Sequence, residues 1–75
     1  MSYREPTKSD IGKIVEVTDF EADWKNRRWV KQRLIDIDLT HPHKFVCGSA
    51  FDSVEQAVQS GDYDSWLYAR IEEAK

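Results

Sequence analysis

The chain has 75 residues, 40% of them hydrophobic and 33% charged, with a formal net charge of −3. That length allows one domain (1–75), and the composition is that of a globular chain, not a disordered one. No apolar run approaches the roughly 18–20 residues that cross a bilayer, and Met1-Ser2-Tyr3-Arg4-Glu5-Pro6 has no apolar segment behind its charge, so neither a membrane span nor a signal peptide is expected.

Folding a chain this short hides only about 60% of its extended surface, so the core must lean on its rings: three Trp, three Tyr and three Phe. The single cysteine, Cys47, cannot form an internal disulfide, and a cytoplasmic setting is expected. Charge is uneven along the chain. Residues 1–35 carry eight basic and six acidic side chains; residues 36–75 carry three and eight. Between Trp24 and Arg33 there are five basic residues and no acid.

Residues 1–9 read as an extended arm, with Pro6 holding Glu5 out of the helical region. Turn chemistry in Lys8-Ser9-Asp10-Ile11-Gly12 leads into a β-branched run, Lys13 to Thr18, the first strand. Residues 19–28 are too polar and irregular for a strand and read as a long loop. The central strand is Trp29 to Leu39. Ile35, Ile37 and Leu39 beat on one side and Asp36 and Asp38 on the other, as a half-buried strand requires. Thr40-His41-Pro42-His43 is a turn, and Lys44 to Cys47 returns as a third strand that ends at Gly48.

A helix of about two turns follows, spanning about residues 53–60. Asp52 and Glu55 have the spacing of a capping box, Val54, Ala57 and Val58 form a narrow apolar stripe, and Gly61 supplies the stop. In the tail, Trp66, Tyr68 and Arg70 alternate with Leu67, Ala69 and Ile71, which suits a strand. Leu67, Ile71 and Ala74 also fit a helix. The aromatic and β-branched content favours a strand to about Ile71, with residues 72–75 frayed. The expected architecture is mainly β with one short helix: a small SH3-like open barrel of four or five short antiparallel strands, the helix inserted before the last.

Arg4-Glu5-Pro6-Thr7, Asp10-Ile11-Gly12-Lys13 with Val15-Glu16-Val17, Trp29 with Arg33-Leu34, Phe45-Val46-Cys47 and Ser65-Trp66-Leu67-Tyr68-Ala69-Arg70-Ile71 resemble a group of small proteins encoded by tailed bacteriophages and prophages. The resemblance spans nearly the whole chain and is most specific at the opening and in the closing block. Residues 48–64, with the helix, look like an insertion relative to shorter members. The resemblance implies a phage accessory protein made in the bacterial cytoplasm and a compact β-rich domain; it transfers no catalytic residue.

Four residue sets carry chemistry worth weighing. His41, His43 and Cys47 are zinc-ligand types, but no Cys-x-x-Cys pair anchors them, and no metal or cofactor is expected. Cys47 as a nucleophile needs a base, and His43, four residues away along a strand, would stand about 13 Å off. Asp36 and Asp38, about 7 Å apart on one face, suit a solvated strand better than a carboxylate pair. Trp66, Tyr68 and Arg70 are a secondary surface or, more simply, core and rim.

The strongest pattern is Trp24, Arg27, Arg28, Trp29, Lys31 and Arg33, basic side chains interleaved with indoles. Trp and Arg together are the residues of protein-binding hot spots. The same mixture can grip phosphates while a ring stacks on a base, but the acidic total charge weighs against nucleic acid. The bland alternative is two core tryptophans beside a solvated loop. The expected role is therefore binding, not catalysis: contact with a host or phage protein, with single-stranded nucleic acid as the second reading, in a monomer or weak homodimer.

Overall fold

A computed structural model describes residues 2–19 and 28–73. Among these residues six strands, β1 (Ser2–Arg4), β2 (Ile14–Thr18), β3 (Val30–Ile37), β4 (Phe45–Ser49), β5 (Tyr63–Trp66) and β6 (Tyr68–Glu73), join in the order β1-β6-β2-β3-β4-β5. Every pairing is antiparallel. The sheet curls without closing, an open barrel-like β fold with one short helix, α1 (Val54–Ser60), as the composition and periodicity led us to expect.

The alternation of β2 decides which side is in. Val15 and Val17 are buried and share the core with Leu34, Ile37, Phe45, Cys47, Ala69 and Ile71, with Trp66 packed at the margin. β3 departs from simple alternation. Leu34 stands opposite Cys47 and Asp36 opposite Val46, so Ile35 is one residue more than β4 can pair, a β-bulge. The extra residue lets Leu34 and Ile37, three apart, both enter the core. Ile35 is buried outside that cluster, beneath the helix.

The helix is held on this second face by a close approach. A Cβ built on Gly48 would lie 2.9 Å from Ala57 Cβ, 3.1 Å from Ile35 Cδ1 and 3.2 Å from the Asp62 carbonyl. Glycine at 48 is therefore the clearance that lets α1 sit on β3 and β4. The seven-residue helix could not persist without that contact.

Several expectations are corrected. The arm is extended only at its start, where β1 pairs with β6, Ser2 opposite Glu73, and a 3-10 turn covers Lys8–Asp10. The tail strand is two strands broken at Leu67, and β6 runs to Glu73, so residues 72 and 73 are paired. β3 stops at Ile37 because the Asp38 carboxylate accepts from the N–H and hydroxyl of Thr40, an Asx turn that leaves Leu39 73% exposed instead of in the core. The helix cap is one residue later than expected: Ser53 Oγ accepts from the Gln56 N–H while Gln56 Oε1 accepts from the Ser53 N–H. Asp52 belongs instead to the preceding turn, its N–H on the Ser49 carbonyl and its own carbonyl accepting from Arg33 Nε. Val58 faces outward, and Ala57 is the buried residue of the helix. Gly61 ends it at φ +71°, as expected.

One buried charge ties the N-terminal arm down. Asp10, 1% exposed, takes both guanidinium nitrogens of Arg4 at 2.7 and 2.9 Å, the Thr7 N–H at 2.9 Å and Lys13 Nζ at 3.3 Å. These donors, Arg4 first, hold its carboxyl well below the usual carboxylate range. A depressed folded pKa means stabilisation that is complete above the unfolded value, about 4, and is lost as pH falls below it.

Two predictions follow from this packing. Leu34→Ala should cost about 2–5 kcal/mol and Gly48→Ala about 1–3 kcal/mol in urea unfolding, whereas Leu39→Ala should stay within about 0.5 kcal/mol. Equal effects at 34 and 39 would mean that the strand runs on past Asp38 and carries Leu39 into the core. Asp10→Asn should lower the urea midpoint at about pH 7 and flatten its decline between about pH 5 and pH 2; an unchanged acid slope would place the titration elsewhere.

Candidate functional site

On the side of the sheet away from the core, the register gathers residues distant in sequence. Glu16 lies opposite both Lys31 and Arg70, Ile14 opposite Arg33, Thr18 opposite Tyr68, and Tyr3 opposite Glu72. Trp29, just before β3, stands by alternation on the same face as Lys31. At the centre is Arg70. Its Nε donates to Glu16 Oε1 at 2.7 Å, and its guanidinium carbon is 3.9 Å from the Tyr3 ring centre and 4.3 Å from that of Trp29. Both rings are within cation–π range, and the Arg70 side chain is only 13% exposed. A shallow depression of about 160 Å³ adjoins the stack, lined by Ile14, Glu16, Lys31, Arg70 and Glu72 among others.

Of the expected contact set, Arg28 and Lys31 are exposed and Trp29 is half-buried, all at this end of β3. Trp24 and Arg27 lie outside the described residues. Arg33 has a different occupation. Its guanidinium donates to the carbonyls of Gly12 (2.6 Å), Ala50 (3.3 Å) and Asp52, clamping the turn before β2 to the turn after β4. Spent on three acceptors, it has little left to offer a partner. The secondary set divides: Trp66 packs against the core, while Tyr68 and Arg70 join the outer face. The two sequence patches thus merge into one. Tyr3 and Glu16 are additional members that periodicity did not reveal, because they arrive by pairing between strands far apart in the chain.

The remaining candidates are engaged locally. His41 Nδ1 accepts from the His43 N–H at 3.1 Å, and their ring centres are 5.9 Å apart. Cys47 is in the core opposite Leu34, where burial pushes its thiol up to about 12. Among the described residues, no three His, Cys, Asp or Glu side chains gather as metal ligands would. Asp36 accepts from the Ile37 N–H at 2.8 Å, and Asp38 serves its turn, so the two carboxylates have separate structural partners. The Asp38 carboxyl is lowered by the Thr40 hydrogen bonds.

Family models, curated proteins and solved structures searched with this chain give no match. No helix among the described residues is long and apolar enough to cross a membrane.

The buried thiol gives a direct check. Cys47 should stay unmodified by a thiol-disulfide reagent at neutral pH while the protein is folded, and react fully once urea unfolds it. Stoichiometric labelling of the folded chain, followed by mass spectrometry, would show that the core around β4 opens readily.

Proposed function

We propose that this chain is a binding module, not an enzyme, and that it engages a host or phage protein through the face around Tyr3, Trp29, Lys31 and Arg70. The observation that carries the reading is the stacking of Arg70 against two rings while Glu16 holds it from the side. Tyr, Trp and Arg are the side chains that dominate interface energetics, and an arginine fixed before contact loses little rotamer freedom on binding. Exposed Arg28 and Lys31 beside this platform add charge that steers and selects more than it holds.

The phage or prophage origin rests on the resemblance of the opening and closing blocks to small tailed-phage proteins, and with it a bacterial cytoplasmic location. An SH3-like barrel is the fold reading that fits the run β6-β2-β3-β4-β5 with its one-residue break at Leu67. The second functional reading, single-stranded nucleic acid, draws on Arg28 and Lys31 next to the Trp29 ring. Glu16 and Glu72 on the same face, and the net charge of −3, argue against it.

The test uses charge reversal at exposed positions, which spares the stack. Immobilised wild-type chain should retain a specific protein from lysates of infected or lysogenic bacteria, and Arg28→Glu with Lys31→Glu should reduce that retention about tenfold without lowering the melting temperature. Undiminished capture by the double variant would remove this face from the interface. Anisotropy of a labelled single-stranded oligonucleotide that rises on addition of protein and collapses with salt would transfer the face to nucleic acid.

A further inference from the structure

The opposite end of the sheet carries a second surface with different chemistry. Between Lys44 and Arg70 the chain has four acidic residues, Asp52, Glu55, Asp62 and Asp64, and no basic one. These acids lie on α1, on β5 and in the turns that flank the helix, next to the strand that ends the sheet. β5 pairs with β4 alone and ends the sheet, leaving its outer row of backbone donors and acceptors without a strand partner among the described residues. Beside that edge lies a cleft of about 230 Å³ spanning three strands, lined by Gln32, Ser49, Asp62, Tyr63, Asp64 and Trp66 among others.

The register defines what faces the cleft. Asp64 is opposite Cys47 and Trp66 opposite Phe45, both core residues, so Asp64 and Trp66 alternate onto the concave side of β5, and Asp62, just before the strand, lines the same cleft. Gln32 is opposite Ser49 on the neighbouring pair. Trp66 also brings an indole N–H that is buried and has no acceptor among the described residues.

We propose that the β5 edge and the acidic cleft beside it accept an extended basic segment of another protein as an added strand. A strand added at the usual spacing, about 4.8 Å from β5, directs every second side chain to the concave face. There, lysine or arginine at alternate positions meets Asp62 and Asp64, which are themselves two residues apart. Backbone pairing supplies the attachment and the alternating cations the selection, as in other cases of strand addition. The site goes beyond the proposed Tyr3–Trp29–Arg70 face and uses none of its residues.

The test is a titration of the 15N-labelled chain with a synthetic peptide, Thr-Arg-Val-Arg-Thr-Arg-Val, capped at both ends. Expected are shifts confined to the amides of β5 and to the Trp66 indole N–H, the latter assigned with Trp66→Phe. A peptide with glutamate at each arginine position should produce none. Asp62→Asn with Asp64→Asn, both exposed positions, should weaken binding about tenfold and leave the melting temperature unchanged. Arg28→Glu with Lys31→Glu should not alter the titration, which separates failure of this site from failure of the other. No shifts at millimolar peptide, shifts scattered over the sheet, or equal response to both peptides would overturn the proposal. Shifts of β5 that depend on protein concentration without peptide would assign the edge to a second copy of the chain instead.

Discussion

A single unpaired residue in the central strand sets the geometry of this molecule. With Ile35 bulged between Leu34 and Asp36, β3 serves two packings at once: Leu34 and Ile37 fill the curl of the sheet, and Ile35 lies against the helix on the other side. A regular strand would send Leu34 and Ile37 to opposite faces, because they are three residues apart. The local kink and added twist of a bulge also suit a sheet that must curl around a small core. Gly48 is the matching device on β4. Its absent side chain admits Ala57 on the face that the bulge has made apolar.

Around this core, polar side chains do the work that a larger protein would leave to buried area. Asp10 gathers Arg4, Thr7 and Lys13 and so binds the β1 arm to the turn before β2. Arg33 collects carbonyls from both flanking turns. Each replaces water around groups that would otherwise be costly to cover, and each is charge-assisted, so the bonds are stronger than neutral ones. The face around Arg70 inherits its order from them. Tyr3 meets Arg70 only because β1 is paired to β6, and Arg4, the next residue, anchors that strand to Asp10.

What the sequence disclosed and what it hid follow from the range of the interactions involved. The β-branched run of β2 and the glycine stop at 61 are local signals, and each matches its element. The beat of Ile35 and Ile37 located β3 but misassigned its faces, since the bulge sends Ile35 to the helix side and Ile37 to the core. The bulge is silent, because Leu34-Ile35-Asp36-Ile37 reads as well with strict alternation. Leu39 continued the beat, but the Asx turn at Asp38 overrode it, a case of turn chemistry outweighing periodicity. β1 has three residues, too few for a period, and owes its existence to a partner some seventy positions away. The same range problem affected the site. Counting charges in the Trp24–Arg33 decade could not separate Arg33, bound to carbonyls, from exposed Lys31, and no local pattern joins Tyr3 and Glu16 to Arg70.

The fold also converts an asymmetry along the chain into one across the molecule. Asp52, Glu55, Asp62 and Asp64 lie on α1, β5 and the turns flanking the helix, at the β5 end of the sheet, while Arg28 and Lys31 accompany the aromatic stack at the start of β3. Opposite charges on two ends invite copies to join head to tail. The edges oppose this: β1 offers three residues, β5 four, and Asp64 stands within β5, features that discourage indefinite strand pairing. Exposed charges contribute little binding free energy, on the order of 1 kcal/mol or less per pair. In the proposed binding role they act chiefly as selectors, orienting a partner of mixed charge as it arrives. In that proposed role the larger share of affinity comes from surface that can be dried, and the Tyr3 and Trp29 rings, held in place by Arg70, are where such surface is already ordered.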